Sequence, residues 1–273
     1  MITKFKKMLL VILTNIVKYL STSCLSGVEE TIEEKDLLMH CLKLKQQRSS
    51  PVSPHSEEGR QYLKFWFEVR QMVDNRINQL CNAYYDGKHP KHYLWLGHNQ
   101  YLYDNVRTGE RVLDIGCGSS YYQQWIAEKA DVVVGVDILE DRIKKARRNN
   151  QKQNVHFECM DITSDFPSGQ FDVVICSHVL EHIENPVLML SALAKKVPRL
   201  LVKVPLEDSH WMKLVKRDIG ISWLDDADHR REYTIGLLQE QLKKSGWKIK
   251  EMIRGYDLRA TAVSTHFLIK SAQ

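Results

Sequence analysis

Residues 111–120, RVLDIGCGSS, place an acid and two glycines within and directly after a short apolar run. Val112, Leu113 and Ile115 give that run the composition of a buried strand. Glycine lets backbone amides come close to a ligand, and the N-terminus of a following helix favours negative charge. The stretch therefore predicts a strand-to-helix turn, at Gly116 and Gly118, that holds a ligand.

From residue 111 onward, short apolar runs alternate with helix-length amphipathic segments. Five runs are rich in valine, isoleucine and leucine, and several are apolar on both faces: RVLDIG, DVVVGVD, NVHFECMD, FDVVICSH and RLLVKVP. The chain closes with the helical TIGLLQEQLKKSG, followed by WKIKEMIRG and STHFLIKSA. Strand and helix in alternation predict a parallel α/β sheet with helices on both faces and ligands at the carboxyl ends of its strands.

The spacing of the glycines separates two classes of cofactor. A dinucleotide fingerprint G-x-G-x-x-G that starts at Gly116 would need glycine at position 121, where the chain has Tyr121. A tyrosine is too large for close packing of helix and pyrophosphate, so a nicotinamide dinucleotide is disfavoured. Asp114, two residues before the first glycine, is instead placed to meet a cationic amine.

Four motifs in order, each at a predicted strand end, resemble those of the class I S-adenosylmethionine-dependent methyltransferases. They are VLDIGCG (112–118), GVDI (135–138), CMDI (159–162) and FDVVICSHVLEHIENP (171–186), and the resemblance covers about residues 90–272. It implies a Rossmann-like, doubly wound, mostly parallel seven-stranded sheet with an antiparallel last strand, and S-adenosylmethionine as the cofactor. Ser120 replaces the third glycine of the family's usual D-x-G-x-G-x-G pattern, and serine is small enough to start the helix there.

The resemblance assigns cofactor contacts to the ends of four strands. The first turn and its acid would hold the methionine end, and the acid after the second strand would accept both ribose hydroxyls. Residues after the third strand would flank the adenine, and those after the fourth would lie under the sulfonium and its methyl group. In chain order these residues are Asp114, Gly116, Cys117, Gly118, Asp137, Ile138, Asp161, Ile162, Ser177 and His178. The alternative for the first two acids is that they cap helices.

Three histidines are candidates for the base of the reaction. Methyl transfer from a sulfonium is a direct displacement, so the protein has to align the acceptor and, for a hydroxyl, remove its proton. A side chain that titrates near neutral pH suits this task, which points to His182, His178 and His229. The alternative for His182 is to pack over the cofactor and shape the pocket, and for His178 it is a structural role.

Residues 206–234, after the fifth predicted strand, are too many for an ordinary connection. Because loops at this edge of a parallel sheet commonly carry function, the segment is predicted to cover the acceptor. Each of its polar residues alone could equally be solvated or cap a helix. Its candidate contacts are His210, Trp211, Trp223, Asp228, Arg230 and Tyr233, with His210 as a further possible base.

The motif after the fourth strand bears on the acceptor. Methyltransferases of amino groups in nucleic acids often carry an N/D-P-P-Y type motif there, whereas this chain has SHVLEH, so no nucleic acid is expected. The LEH form is similar to that of enzymes acting on small molecules such as quinone precursors, sugars and other natural products. A hydroxyl of a sugar, glycan, lipid-linked or natural-product acceptor is the expectation. The alternatives are a non-catalytic subunit of the same fold and a membrane-associated scaffold.

A zinc hydrolase is a remote alternative, because HVLEH (178–182) also matches the inverted zinc-peptidase motif H-x-x-E-H. That motif needs a long helix to bring both histidines to one ion. Pro186 disfavours helical geometry at Asn185, just beyond it. No metal is therefore expected.

The chain before residue 111 is predicted to form two further parts, leaving 111–273 as the methyltransferase domain. Residues 1–58 combine an amphipathic helix at 4–20, a charged helix and a linker rich in proline and serine. The lysines of the first helix suit an anionic membrane surface, and the alternative is docking on its own domain. Residues 59–110 are a helical lead-in whose apolar stripe is expected to be core. Six cysteines without a C-x-x-C pair indicate a cytoplasmic protein, at the inner membrane surface if the first helix binds lipid.

Overall fold

The computed structural model describes residues 56–85, 99–119 and 122–270. The amphipathic helix expected at 4–20, its membrane contact and nearly all of the predicted segment 1–58 lie outside these residues. The chain divides into two units, Met1–Asp74 and Asn75–Gln273. The predicted boundaries at 58 and 110 stay predictions.

Helix α1 (Glu57–Tyr84) begins at a serine cap, since the hydroxyl of Ser56 accepts a hydrogen bond from the backbone N–H of Gly59 at 3.0 Å. No residue of α1 is buried. Ile77, at 52% exposure, belongs to the apolar stripe that was expected to be core, so that expectation is wrong for this helix. None of the helices described has the length and apolar character needed to cross a bilayer.

Seven strands form one sheet. In chain order they are β1 (Arg111–Ile115), β2 (Val132–Asp137), β3 (Val155–Cys159), β4 (Val173–Ser177), β5 (Arg199–Pro205), β6 (Trp247–Arg254) and β7 (Asp257–Ser264). Their order across the sheet is β3-β2-β1-β4-β5-β7-β6. β1 to β5 pair in parallel, and β7 lies antiparallel between β5 and β6. The expected mostly parallel seven-stranded sheet with an antiparallel last strand is confirmed.

The seventh strand lies earlier than the sequence indicated. STHFLIKSA was the closing apolar run, but its central residues form the helix α8 (Thr265–Lys270). β7 is instead DLRATAVS, in which Leu258, Ala260, Ala262 and Ser264 alternate inward. Small side chains give this alternation a weak hydrophobic signal, although the antiparallel register with β5 buries them completely or nearly so.

The remaining helices are α2 (99–105), α3 (Gln123–Ile126), α4 (Glu140–Asn149), α5 (Pro186–Ala194), α6 (Trp211–Asp218) and α7 (Ile235–Lys244). The sheet is buried on both faces because alternate residues of each central strand point to opposite sides. Leu113 and Ile115 pack in a cluster with residues of α5 and α7, whereas Val112 packs with residues of α2, α3 and α4. This is the doubly wound arrangement that the alternating pattern predicted.

The segment 206–234 leaves and rejoins the sheet at one place. Leu206 and Tyr233 form a parallel bridge, and the N–H of Tyr233 donates to the carbonyl of Pro205 at 2.9 Å. The residues between, which include α6, therefore stand as an insertion above the carboxyl end of β5.

Candidate active site

Two cavities open at the carboxyl edge of the sheet and share the side chains of His178 and His182. The first, here termed the glycine-turn cleft, has a volume of about 240 Å³ and lies against Gly116, Asp137 and Asp161. The second, the insertion cavity, has a volume of about 420 Å³. It is lined by His178, Glu181, His182, Lys203, Pro205, Asp225, Asp226, His229, Tyr256 and Asp257. A ligand in either cavity would touch the same two imidazoles.

The turn after β1 has the conformation that the glycines predicted. Gly116 (φ +65°) and Gly118 (φ +59°) lie in the left-handed region, which is strained for residues with a side chain. A Cβ at Gly116 would stand 2.5 Å from Cγ2 of Val179, so space as well as conformation requires glycine there. The N–H of Cys117 donates to the carbonyl of Val136 at 3.0 Å and fixes the turn to β2, although the buried Cys117 side chain does not line the cleft.

Asp137 ends β2 with its carboxylate fixed at the cleft. Its Oδ2 accepts from the N–H of Gly118 at 3.1 Å, and its Oδ1 accepts from the N–H of Leu139 at 2.9 Å. The Arg142 guanidinium lies 3.7 Å from Oδ2. The carboxylate is therefore oriented without a ligand, and it is the only acidic side chain of the predicted set that meets both the turn and the cleft.

The far end of the glycine-turn cleft is apolar. Ile138 and Leu139 line it while remaining 63% and 49% exposed, and Ile162 lines it from the segment after β3. Asp161 accepts from the N–H and hydroxyl of Thr163, and these hydrogen bonds lower the pKa of Asp161. Exposed apolar side chains around a cleft with an ionised acid suit a ligand that has one flat apolar part and a hydroxylated part.

Asp114 does not line the cleft, which corrects its expected contact with a cationic amine. The side chain is fully buried, and its two oxygens accept from the hydroxyl of Tyr122 at 2.7 Å and from the amide of Gln123. Burial outweighs these hydrogen bonds and raises the pKa of Asp114 to about 7. Its position indicates that Asp114 supports the glycine turn from beneath by holding the start of α3.

His178 is held in a strained, charged state directly after β4. It has φ +55°, an uncommon value for a residue with a side chain. Burial lowers the pKa of His178, but the hydrogen bonds and charges of Asp257 and Glu181 outweigh it and raise that pKa to about 9. Because a ring protonated at neutral pH cannot take a proton, the structure argues against His178 as the base. Ser177, one residue earlier, lines neither cavity.

The HVLEH motif is a turn rather than a helix, because residues 178–185 join β4 to α5 without helical structure. The zinc-peptidase alternative therefore lacks the helix it requires. The turn nevertheless brings together a group that the sequence did not indicate, since no metal was expected. A carboxylate oxygen of Glu181 and ring nitrogens of His182 and His229 lie within 4.8 Å of one another.

The insertion supplies fewer contacts than predicted. His210 caps α6, where its Nδ1 accepts from the N–H of Met212 at 3.2 Å, and the neighbouring Trp211 is 65% exposed. Trp223 and these two residues line neither cavity. Tyr233 is fully buried in the main core, with its hydroxyl 3.1 Å from Gln241, so its expected contact with the acceptor is wrong.

Of the predicted acceptor contacts in the insertion, Asp228 and Arg230 do reach the site. Asp228 lines the glycine-turn cleft, with Oδ2 at 3.1 Å from Nδ1 of His182. Arg230 donates from its backbone N–H to the carbonyl of Glu181 at 2.8 Å and from Nε to the carbonyl of His182 at 3.1 Å. Arg230 thus fixes the turn after β4.

The charged residues Glu181, Lys203, Asp225, Asp226 and Asp257 of the insertion cavity were missed. Lys203 in β5 donates to Asn99 at 3.0 Å and lies 3.8 Å from Asp257, the first residue of β7. Burial lowers the pKa of Lys203 to about 8 despite the opposing charge of Asp257. A lysine inside the otherwise apolar run RLLVKVP was the available signal, because a charge in a buried strand usually has a partner or a function.

Comparison with known proteins agrees with this geometry. A family model described as a methyltransferase domain matches residues 90–251. A ubiquinone biosynthesis O-methyltransferase of Idiomarina loihiensis is 35% identical over 91 residues, which are 32% of this chain and 37% of that protein. Another protein of that name, from Aromatoleum aromaticum, is 32% identical over 107 residues, covering 38% of this chain and 44% of the relative. The chain spans less than half the length of these two curated relatives.

Among solved structures, similarity extends to a chain in the complex between the Haloferax volcanii Trm112 methyltransferase activator and a methyltransferase. The TM-score is 0.53 at 17% identity, over 66% of this chain and 93% of that one. At this identity the likeness concerns the fold alone.

Proposed function

The chain belongs to the methyltransferase domain family, and on that premise we propose that it transfers the methyl group of S-adenosylmethionine to a hydroxyl of a small-molecule acceptor. The observation that carries the proposal is the wall of His178 and His182 shared by two cavities. A methyl donor on one side of these rings and an acceptor on the other would meet at a single point. Direct displacement requires that alignment above all.

The glycine-turn cleft fits S-adenosylmethionine. Asp137 presents a fixed carboxylate of the kind that accepts two ribose hydroxyls, and the apolar side chains of Ile138 and Ile162 would cover an adenine ring. Gly116 lines the cleft, so the methionine end would lie against the backbone of the turn. When bound, this cofactor supplies a methyl group on a positively charged sulfur, an electrophile that needs no further activation.

The insertion cavity is assigned to the acceptor. Both relatives described above carry the name ubiquinone biosynthesis O-methyltransferase, which favours a hydroxyl on the aromatic ring of a quinone precursor. Tyr256 and Pro205 provide flat apolar surfaces beside the polar residues of the cavity. The narrower expectation of a sugar, glycan or lipid-linked acceptor, and that of a membrane contact, receive no support from these relatives.

His182 is the candidate base. Its ring lines both cavities, and its Nδ1 lies 3.1 Å from Oδ2 of Asp228, a carboxylate that would stabilise the protonated ring. His178, protonated between Glu181 and Asp257, would instead orient the acceptor by donating a hydrogen bond. His229 packs edge-on against His182 with ring centroids 4.8 Å apart and would keep that ring in place.

Binding of the cofactor is the first test. Calorimetric titration of the full chain with S-adenosylmethionine and with S-adenosylhomocysteine should give one site, and Asp137→Ala should weaken it at least tenfold. Asp131→Ala is the matched control, because Asp131 directly precedes β2, away from the cleft, and is exposed.

Release of S-adenosylhomocysteine in the presence of hydroxylated benzoic acids then tests transfer. Product formation that is lost in Asp137→Ala supports the proposal. Binding without transfer to any hydroxylated aromatic compound would favour the non-catalytic subunit, and absence of cofactor binding would overturn both ideas. If function in the cell depends on Asp137, the purely scaffolding alternative fails.

A further inference from the structure

Three buried polar atoms on the residues of the insertion cavity have no hydrogen-bond partner within the part of the chain described here. They are Oε2 of Glu181, Nδ1 of His182 and Nδ1 of His229. Leaving a buried polar atom unpaired costs about 1–3 kcal/mol, so such atoms are rare and need an explanation. Glu181 is completely buried, which makes its unpaired oxygen the most costly of the three. Together they indicate a ligand that takes lone pairs from all three side chains.

We propose that Glu181, His182 and His229 bind one divalent transition-metal ion. One oxygen of the carboxylate and one nitrogen of each ring already lie within 4.8 Å of one another. Ligands bonded to such an ion at about 2.0–2.2 Å stand about 3–4 Å apart, so closure by about 1 Å completes the site. Two imidazoles and one carboxylate suit Zn²⁺ and its first-row neighbours, and they leave coordination positions open.

The backbone around the cluster is fixed before any ion binds. The N–H of Arg230 donates to the carbonyl of Glu181, and Arg231 donates to the carbonyls of Leu180 and Glu184 at 3.2 and 2.9 Å. His229 in the insertion is therefore held next to the turn that carries the other two ligands. Such preorganisation lowers the entropy cost of binding.

The carboxylate of Glu181 is also oriented. Nδ1 of His178 lies 3.2 Å from Oε1 of Glu181, which leaves Oε2 for the ion. Ligands of metal ions commonly have such an outer partner that sets their direction.

A further carboxylate lies beside the cluster. Asp228 places Oδ2 at 3.1 Å from Nδ1 of His182, at ion-pair distance but without a hydrogen bond, and its side chain is 67% exposed. It can move to become a fourth ligand. Asp226 also lines the cavity, whereas Asp225 is paired there with Lys213 at 2.6 Å.

The chemical role of this ion rests on the proposed function. The open positions of the ion would face the cavity assigned to the acceptor. Because His182 would then be a ligand of the ion and no longer the base, the proton of a hydroxyl coordinated to the cation would pass to water, a loss that the charge of the cation favours. The oxygen keeps the electron pair and forms the bond to the methyl carbon as the carbon–sulfur bond breaks. An acceptor with a second oxygen beside its hydroxyl fills two positions at once, so the site selects aromatic rings with adjacent oxygens.

The site can be tested without any activity assay. The full chain, freed of metal with a chelator, is titrated calorimetrically with Zn²⁺ and Mn²⁺, and Co²⁺ binding is followed by its visible absorption. One ion per chain is expected for at least one of the three, with affinity at least tenfold lower in Glu181→Gln and in His229→Gln. His156→Gln is the matched control, because His156 lies exposed on β3 and should leave binding unchanged.

S-adenosylmethionine titration of each variant separates the possible failures. Variants that bind the cofactor normally are folded, so their loss of the ion reports on the site, and if one variant fails to fold the other decides. A wild-type chain that binds the cofactor but none of the three cations overturns the metal site and leaves the proposed function standing. Ion binding that survives both substitutions also overturns it. A chain that binds the ion but not the cofactor contradicts the proposed function alone.

Discussion

Gly116 is constrained by conformation and by space, and the two constraints can be separated at the scale of single residues. Gly109 has φ +83° and nothing within 4 Å of the place where a Cβ would stand, whereas Gly116 has φ +65° and Val179 at 2.5 Å from the corresponding place. A side chain at Gly109 would therefore meet only conformational strain, and one at Gly116 would meet strain and a steric clash.

Gly109→Ala should lower the free energy of unfolding by about 1 kcal/mol through strain alone, and Gly116→Ala by about 2–4 kcal/mol through strain and overpacking. Gly116→Ala should also weaken S-adenosylmethionine at least tenfold. Urea unfolding and calorimetry give the two quantities. Equal destabilisation by both substitutions would show that Val179 moves aside freely.

Asp114 makes stability depend on pH with a defined sign. Its pKa is about 7 in the folded chain, above the ordinary value near 3.9 for an unfolded chain. Between those two pH values the folded state keeps a proton that the unfolded state has lost, so the Asp114 contribution to stability falls as pH rises.

Asp114→Asn should remove this fall, because asparagine does not titrate. From pH 5 to pH 8, the free energy of unfolding of the wild type should fall relative to that of the variant by on the order of 2 kcal/mol. Urea unfolding at both pH values measures it. A difference that stays constant would mean that Asp114 is ionised throughout.

At the scale of elements, the insertion is fixed to the turn after β4 chiefly through Arg231. Its guanidinium donates to the carbonyls of Leu180, Ile183 and Glu184. Those carbonyls follow a strand and precede α5, so they would otherwise lack partners in regular structure. These hydrogen bonds hold the insertion against the turn after β4, and both contribute residues to the insertion cavity.

Arg231→Met keeps the apolar stem but removes these donors and should lower the free energy of unfolding by about 2–3 kcal/mol. Affinity for the cation should fall at least tenfold, while cofactor affinity stays within about twofold of wild type because the glycine-turn cleft is built mainly by other elements. Arg217→Met is the control: this arginine of α6 makes only an exposed ion pair with Glu207 at 3.5 Å, which is worth less than about 1 kcal/mol. Loss of cofactor binding in Arg231→Met would show that the glycine-turn cleft also depends on this arginine.

The elements show how far sequence reasoning reached. Strands buried on both faces are apolar runs in the sequence, so β1 to β5 could be predicted. The glycine turn has a local sequence signature, so the cleft beside it could be predicted as well. β7 could not, because alanine and threonine carry little hydrophobic signal and its burial comes from pairing between distant segments. The cluster of Glu181, His182 and His229 was missed for the same reason: His229 joins the turn only through the return of the insertion.

The same distinction explains the wrong contacts. Tyr233 and Trp211 stand in one segment, yet one is buried in the core and the other faces solvent. The length of the segment indicated an insertion after β5, which the structure has, and its placement over the acceptor stays a prediction. The directions of its single side chains could not be predicted.

At the scale of the whole molecule, the large apolar core residues that are buried lie between Tyr101 and Ala262. The unit Asn75–Gln273 therefore contains the sheet, both faces of helices and both cavities. Since hydrophobic burial is the dominant favourable term in folding, this part holds most of the stabilising contacts that the structure describes.

A chain beginning at Asn75 should accordingly unfold in one cooperative transition and bind S-adenosylmethionine with an affinity within about threefold of the full chain, since no group of the cleft is removed. Thermal unfolding and calorimetry are the measurements. Aggregation of the shorter chain, or a tenfold loss of affinity, would show that residues before Asn75 stabilise the sheet.

The wall of His178 and His182 that the two cavities share has a consequence for how tightly each ligand is bound. On the proposed assignment of the two cavities, a ligand that moves either ring in one cavity changes the affinity for the ligand in the other, and thermodynamic reciprocity makes the factor the same in both directions. If the coupling is favourable, a fall in the concentration of the methyl donor lowers the affinity for the acceptor. The enzyme would then release an acceptor it has no means to methylate, with no regulatory site beyond the two rings.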